Sequence, residues 1–316
     1  MFSWRESGGQ LNSCLLQEII QSIMSMNIEK FKVPTQAPVS LREYDPAFID
    51  AFKDSKAAKK QLKKDIQLMS GLQYRLYAEN RRALLLIFQA MDAAGKDGAI
   101  KHVLSGINPQ GCDVHSFKHP SSEELDHSYL WRHYTKLPER GRIGIFNRSH
   151  YENVLITKVH PEYLLAENLP DIHSVEDANT DFWETRYRQI NNFERTVSEN
   201  GTVILKFFLH LSKDEQKRRF LSRIKTPDKN WKFSAADIEE RAFWEDYQNA
   251  YETAISRTST DYAPWYIIPA NHKWFSRVAI GNIIVETLKD MDIQMPVISE
   301  EEKALLKKAK GKLEKE

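Results

Sequence analysis

Two cysteines, Cys14 and Cys112, are all that 316 residues contain. That is too few for a disulfide framework, and their spacing is not that of a metal-ligand set, which suits a reducing cytoplasm. No run approaches the roughly 18 apolar residues of a membrane span. The mildly apolar stretch from Cys14 to Ile20 is interrupted by Glu18 and lacks a small-residue cleavage pattern, so it reads as neither signal nor anchor. Net charge of one sign is also missing, since 45 Lys and Arg stand against 44 Asp and Glu. Without a global basic field, nucleic acid has no electrostatic footprint here, and any anion must be held by a local cluster. Histidine metal chemistry is not indicated: six histidines lie from His115 to His160, but none forms a His-Glu-x-x-His pair or shares spacing with cysteine. Trp131, Trp231, Trp244, Trp265 and Trp274 read as core and lid packing rather than as a platform for stacked bases.

What is present is an alternation of strand and helix patterns. Ala83-Leu84-Leu85-Leu86-Ile87-Phe88 is a continuous apolar run of strand length, the pattern of a strand buried on both faces of a parallel sheet. Similar runs occupy residues 143–146, 202–209 and 265–269, the last ending on Pro269. Helical spacing fills 45–82, 180–200 and 238–258. The order predicts an α/β fold: a three-layer αβα sandwich around a mainly parallel sheet, in one domain over residues 45–295. Residues 1–44 are expected to be a partly flexible extension, of which 1–25 contribute little, and 296–316 a charged, solvated helix.

Directly after the first strand comes Gln89-Ala90-Met91-Asp92-Ala93-Ala94-Gly95-Lys96-Asp97-Gly98, followed by a helical pattern. Small residues at Ala93, Ala94, Gly95 and Gly98 let the backbone curl around an anion, with the following helix N-terminus adding partial positive charge. Lys96 reaches the terminal phosphates of such a ligand as a point charge. Two positions depart from the general pattern. Ala90 replaces the first glycine, and Asp97 stands where a hydroxyl normally contacts magnesium. Metal ligation then falls to Asp92, because a carboxylate among phosphates is repulsive unless a cation or a proton lies between them. At the end of the second predicted strand stand Asn147, Arg148, Ser149 and Glu152. Carboxyl ends of neighbouring parallel strands share a crevice, so Arg148 is placed to clamp phosphate oxygens. Ser149 and Glu152 also have the spacing of a capping box, an alternative structural role for Glu152. Further on, Arg219 and Arg223 share a face of a basic helix widened by Lys217 and Arg218, and Lys101 is expected to extend the same cationic channel.

These residues resemble the polyphosphate kinase 2 family. Its loop form Asp-x-x-Gly-Lys-x-Gly is matched by Asp92, Gly95, Lys96 and Gly98, and its Asp-Arg-Ser motif by Arg148 and Ser149, with Asn147 in place of aspartate. The likeness continues through 217–234 and 257–274, covering about residues 45–290. The resemblance implies a thymidylate-kinase-like P-loop fold with a helical lid at about 212–240, dependence on Mg2+ (Mn2+ as a substitute), and reversible phosphoryl transfer between inorganic polyphosphate and nucleotides. Asn147 followed by Glu152 is similar to the class III branch, associated with AMP and ADP as acceptors; Asn147 then acts beside the nucleotide or metal rather than as a charged ligand. A homo-oligomer, dimer or tetramer, is expected. The rival readings are an ATP-dependent nucleotide kinase and a non-catalytic protein that binds polyphosphate or nucleotide.

Overall fold

A computed structural model describes residues 26–50, 52, 54–232 and 235–315. The expected upstream extension at 1–25 and the side chain of Trp231 lie outside that description. Five strands form one sheet: β1 (Ala83–Gln89), β2 (Cys112–Ser116), β3 (Ile143–Asn147), β4 (Thr202–His210) and β5 (Trp265–Pro269). Their order is β2-β3-β1-β4-β5, and every pairing is parallel, with Leu84 of β1 opposite Ile143 of β3 and Val203 of β4. The first strand is central. The chain leaves it for the edge, returns beside it as β3, and then builds outward on the other side, so the loops after β1 and β3 diverge and open a crevice.

Among the described residues, eight helices of two turns or more accompany the strands: α1 (Ser55–Glu79), α2 (Lys96–Val103), α3 (Glu152–Val159), α4 (Thr180–Glu199), α5 (Lys213–Ile224), α6 (Trp244–Thr258), α7 (Lys273–Asp290) and α8 (Glu300–Leu313), with shorter helical turns between. Alternate residues of β1 serve opposite layers. Leu84, Leu86 and Phe88 pack with Met69 and Leu76 of α1, Val103 of α2, and Phe275, Ile280 and Ile284 of α7. Leu85 and Ile87 pack with Val154 of α3, Tyr187 and Ile190 of α4, and Tyr251 and Ile255 of α6. Because β1 is buried at every position, its sequence shows no polar alternation. Helix α1 starts where the Asp54 carboxylate accepts from the N–H groups of Lys56 and Ala57, and stops at Asn80, whose φ of 50° is left-handed. Gly281 marks the close approach of α7 to α1: a Cβ there would stand 3.0 Å from Leu62.

The strand expected from no apolar run is β2. It is an edge strand with no fully buried residue, so Cys-Asp-Val-His-Ser carries none of the burial signal of the other four. Strand β4 differs in another way, since its apolar run contains Lys206, fully buried. Its ammonium donates to Glu194 Oε2 (2.5 Å), the Tyr151 hydroxyl (2.9 Å) and the Thr258 carbonyl (2.7 Å), which satisfies all three protons. Glu194 also receives His150 Nε2 at 3.2 Å and the Tyr151 hydroxyl at 2.8 Å. Burial pushes the Glu194 carboxyl up, but Lys206 and His150 pull it further down, and it is held below the usual carboxylate range. The terminal helix α8 is capped by Ser299 and Glu302 and buries no residue, as the charged sequence suggests. Among the described residues, no helix is long and apolar enough to cross a membrane.

Candidate active site

The phosphate loop leaves β1 at Gln89 and turns into α2 at Lys96. Two residues in it take left-handed backbone, Ala93 (φ 62°) and Gly95 (φ 103°). Glycine adopts this conformation freely, whereas alanine does so against steric resistance, so Ala93 must be held by its surroundings. Helix α5 holds it. Gln216 Nε2 donates to the Asp92 carbonyl at 2.9 Å. Arg219 donates from Nη1 to the carbonyls of Ala93 (3.0 Å) and Ala94 (2.7 Å), from Nη2 to those of Ala270 (2.5 Å) and Asn271 (3.1 Å), and from Nε to Glu215 (2.7 Å). All five guanidinium N–H groups are therefore engaged within the protein, on a side chain only 5% exposed. The sequence groups Arg219 with polyphosphate-facing cations; in the structure it borders the large cavity, with its donors spent on bracing the loop. Three consecutive loop carbonyls are turned away from the cavity by α5, which leaves the opposite edge of the Ala94–Gly95 peptide, its N–H, facing the other way.

Lys96 sits on the front of the loop, its ammonium donating to the Ala90 carbonyl at 2.8 Å. Burial, and then the neighbouring Arg148 charge, pull its pKa below the ordinary lysine value. Gly95 supplies no side-chain cap, so α2 opens with an uncovered dipole end. Arg148, the first residue after β3, is also left-handed (φ 64°), pinned by its N–H to the Phe88 carbonyl at 3.0 Å. Its guanidinium lies 3.2 Å from Asp92 Oδ1 and 3.9 Å from Glu152 Oε2. The two carboxylates, Glu152 first, raise the Arg148 pKa against the opposing effect of burial. Burial conversely pushes the Glu152 carboxyl up, with Arg148 and Lys96 opposing.

The capping box between Ser149 and Glu152 does not form. Helix α3 begins at Glu152 with Tyr151 as its N-cap and no side-chain cap bond. The Ser149 hydroxyl instead accepts from Gln89 Nε2 (3.1 Å) and the Tyr151 N–H (3.3 Å), and Glu152 is left to face Arg148. Asn147 Nδ2 donates to Asp97 Oδ1 at 2.8 Å, so the two residues that depart from the expected motifs engage each other.

Arg148 stands where three cavities meet. The largest, about 1050 Å³, runs along the loop and is lined by Lys96, Arg148, Arg218, Arg223, Lys273 and Arg277 among others. A second, about 190 Å³, is lined mainly by apolar atoms, with Phe117, Arg132, Asn153 and Tyr163 in its wall. The third, about 200 Å³, carries Asp92, Glu152, Asp237, Tyr247 and Tyr251. Of the basic lid residues, Arg218 is paired with Glu215 at 2.6 Å and largely exposed, and Arg223 lies 3.7 Å from Asp237. Lys101 does not join them: it is exposed on α2 and outside the lining of the large cavity. Lys273, Arg277 and Asp237 escaped the sequence reading. The first two carry a usable signal, being basic residues four apart just after the end of a buried strand.

The carboxylates are hard oxygen donors of the kind that suit a divalent cation such as magnesium. Among the described residues no three ligating side chains converge.

The family profile described as Polyphosphate kinase 2 matches residues 52–296. A Rhodopseudomonas palustris protein named ADP-polyphosphate phosphotransferase is 53% identical over 274 residues, 86% of this chain and 93% of its own length. An AMP/ADP-polyphosphate phosphotransferase of Meiothermus ruber is 44% identical over 270 residues, covering 85% of this chain and 96% of its own. The crystal structure of Polyphosphate Kinase 2 from Arthrobacter aurescens TC1 superposes with a TM-score of 0.79 at 37% identity, over 89% of this chain and 96% of that one. The phosphate loop braced by α5, the Arg148 turn and the five-stranded parallel sheet thus sit in a chain that belongs to the polyphosphate kinase 2 family, a family of phosphotransferases.

Proposed function

We propose that this enzyme transfers the terminal phosphoryl group of inorganic polyphosphate to AMP and to ADP, giving ADP and ATP, and that it runs in both directions with Mg2+, or Mn2+ in its place. The observation that carries this reading is the position of Arg148, shared by a long cation-lined cavity and a small enclosed apolar one. A polyanion fits the first. A nucleobase fits the second, between Phe117 and Tyr163, with the acceptor phosphate directed at Arg148.

Phosphoryl transfer asks the protein for alignment and charge cancellation rather than covalent chemistry. In this reading Lys96 and the loop N–H groups hold the donor end, and Arg218 and Arg223 exchange their carboxylate partners for polyphosphate. Arg148 spans donor and acceptor oxygens, and Asp92 and Glu152 keep its guanidinium charged and oriented. Asp92 would hold the divalent cation, which would supply charge neutralisation to the phosphates beside it. Glu152 offsets the charge that Asn147 does not supply, which favours the shorter acceptor, AMP. The two close relatives differ in name on this point, one carrying ADP alone and the other AMP and ADP. The same reading places the enzyme in the cytoplasm as a homo-oligomer, for which exposed apolar side chains such as Tyr74 and Val114 offer contact surface.

An ATP-dependent nucleotide kinase needs room for one triphosphate, whereas the cations here continue past the loop to Lys273 and Arg277. Rates with polyphosphate and with a nucleoside triphosphate as donor to AMP and ADP decide between the two; polyphosphate must be the better donor. Turnover of either kind removes the non-catalytic alternative.

A further inference from the structure

Most cations around the large cavity are matched to protein partners; among the described residues, the exposed Lys118 and the partly buried Arg277 are not. Lys96 is bonded to a carbonyl, Arg148 to Asp92, Arg218 to Glu215, Arg219 to five acceptors, and Arg223 faces Asp237. Arg277 has no hydrogen bond or ion pair to any described residue, although it is partly buried and burial lowers its pKa. It lies one turn into α7, flanked by the fully buried Phe275, Val278 and Ala279. Those neighbours pack α7 against α1 and α2, so the Arg277 backbone is fixed by the core. Its Nη2 sits 3.5 Å from where a Cβ on Gly98 would be, which lays the guanidinium across the first turn of the phosphate-loop helix. A guanidinium offers five donors and cannot shed its charge at neutral pH, so withdrawing it from water without an acceptor is unfavourable unless a ligand supplies one.

We infer that Arg277 is a donor-binding residue: it holds an inner phosphate of the polyphosphate chain, behind the one transferred, and so sets how strongly the enzyme favours long donors over short ones. The inference rests on polyphosphate being the donor. Arg277 differs from Arg218 and Arg223 in having no carboxylate to give up, since those two face Glu215 and Asp237. A chain of three phosphates offers at most two behind the one transferred, whereas a long chain always offers more.

The test is initial-rate kinetics of Arg277→Gln and Arg277→Lys with ADP as acceptor, using tripolyphosphate and a long-chain polyphosphate as donors. For Arg277→Gln the KM for the long donor is expected to rise about tenfold, the loss of one charge-assisted contact. The kcat and the KM for ADP stay near wild type, and the advantage of the long donor over tripolyphosphate shrinks. Arg277→Lys, which keeps the charge and loses the fork, recovers part of the KM. An Arg277→Gln enzyme with unchanged KM for long polyphosphate overturns the inference, as does a loss confined to kcat or to the nucleotide KM. A wild-type enzyme that does not use polyphosphate would instead overturn the reading on which the inference rests.

Discussion

Replacing Arg219 by alanine separates two accounts of the basic helix. If Arg219 is a polyphosphate contact, as its spacing with Arg223 suggests, Arg219→Ala weakens donor binding and little else. The structure argues for a brace. The change removes a donor from four backbone carbonyls, those of Ala93, Ala94, Ala270 and Asn271, and one of the two donors to Glu215 Oε1, which keeps Arg218. Deleting one member of a buried charged network costs about 3–5 kcal/mol. Water entering from the adjoining cavity recovers part of that, leaving about 3 kcal/mol. At roughly 2–4 °C per kcal/mol in a chain approaching this size, Tm falls by about 6–12 °C. Freed of the brace, the strained Ala93 relaxes and the loop N–H groups move. A misplacement of ~1 Å at a reacting centre costs about 10²-fold in rate. Thermal melts and steady-state kinetics in both reaction directions read the two effects. The expected result is lower kcat with every donor and acceptor, a modest change in the KM for polyphosphate, and a lower Tm. Arg219→Lys should fare little better, since one ammonium cannot serve acceptors on both sides. An Arg219→Ala enzyme with native Tm and kcat, and a raised KM for polyphosphate alone, would refute the brace.

Other expectations follow from the same geometry. Lys96→Ala should lower turnover by about 10²–10³-fold, the cost of losing one preorganised charge at the transferring phosphate, with the melt close to wild type. Glu152→Gln should depress AMP phosphorylation far more than Tm, because Glu152 faces Arg148 and makes no cap; a variant that phosphorylates AMP normally would contradict its role. Asp65 on α1 is 1% exposed, with Oδ2 unpartnered and Oδ1 accepting from Gln61, and burial pushes its carboxyl up from 3.8 to about 6. A carboxyl with a raised folded-state pKa contributes its stability below the unfolded value and loses it as pH rises through the folded one. Asp65→Asn should therefore be up to about 3 kcal/mol more stable than wild type at pH 8, with the advantage largely gone by about pH 4 in urea titrations at each pH.

The sheet's centre was legible because strands buried on both faces must be apolar throughout, as β1 is. Strand β2 was not, since an edge strand needs no such run and Asp113 and His115 read equally well as loop. Lys206 is a sharper case. Its place in the run marked a strand, but its partner Glu194 lies on α4, and nothing in the local sequence links the two. The phosphate loop announced itself through strand, small residues and lysine in register, and Arg148 through its position after a neighbouring strand. What spacing cannot report is which acceptors a guanidinium meets. Arg219 and Arg223 lie on one helix four apart, yet one is consumed by loop carbonyls and the other faces the cavity near Asp237. Likewise Ser149 and Glu152 have the spacing of a cap, but the helix starts two residues too late for Ser149 to cap it.

The central claim is that polyphosphate phosphorylates both nucleotides at this site, and a single time course tests it: purified protein, Mg2+, long-chain polyphosphate and AMP, followed by ³¹P NMR without any added nucleoside triphosphate. The account predicts ADP appearing first, ATP after it, and a matching loss of polyphosphate, with all three signals static in Lys96→Ala over the same period. Unchanged AMP, or conversion only when a nucleoside triphosphate replaces polyphosphate, would contradict it.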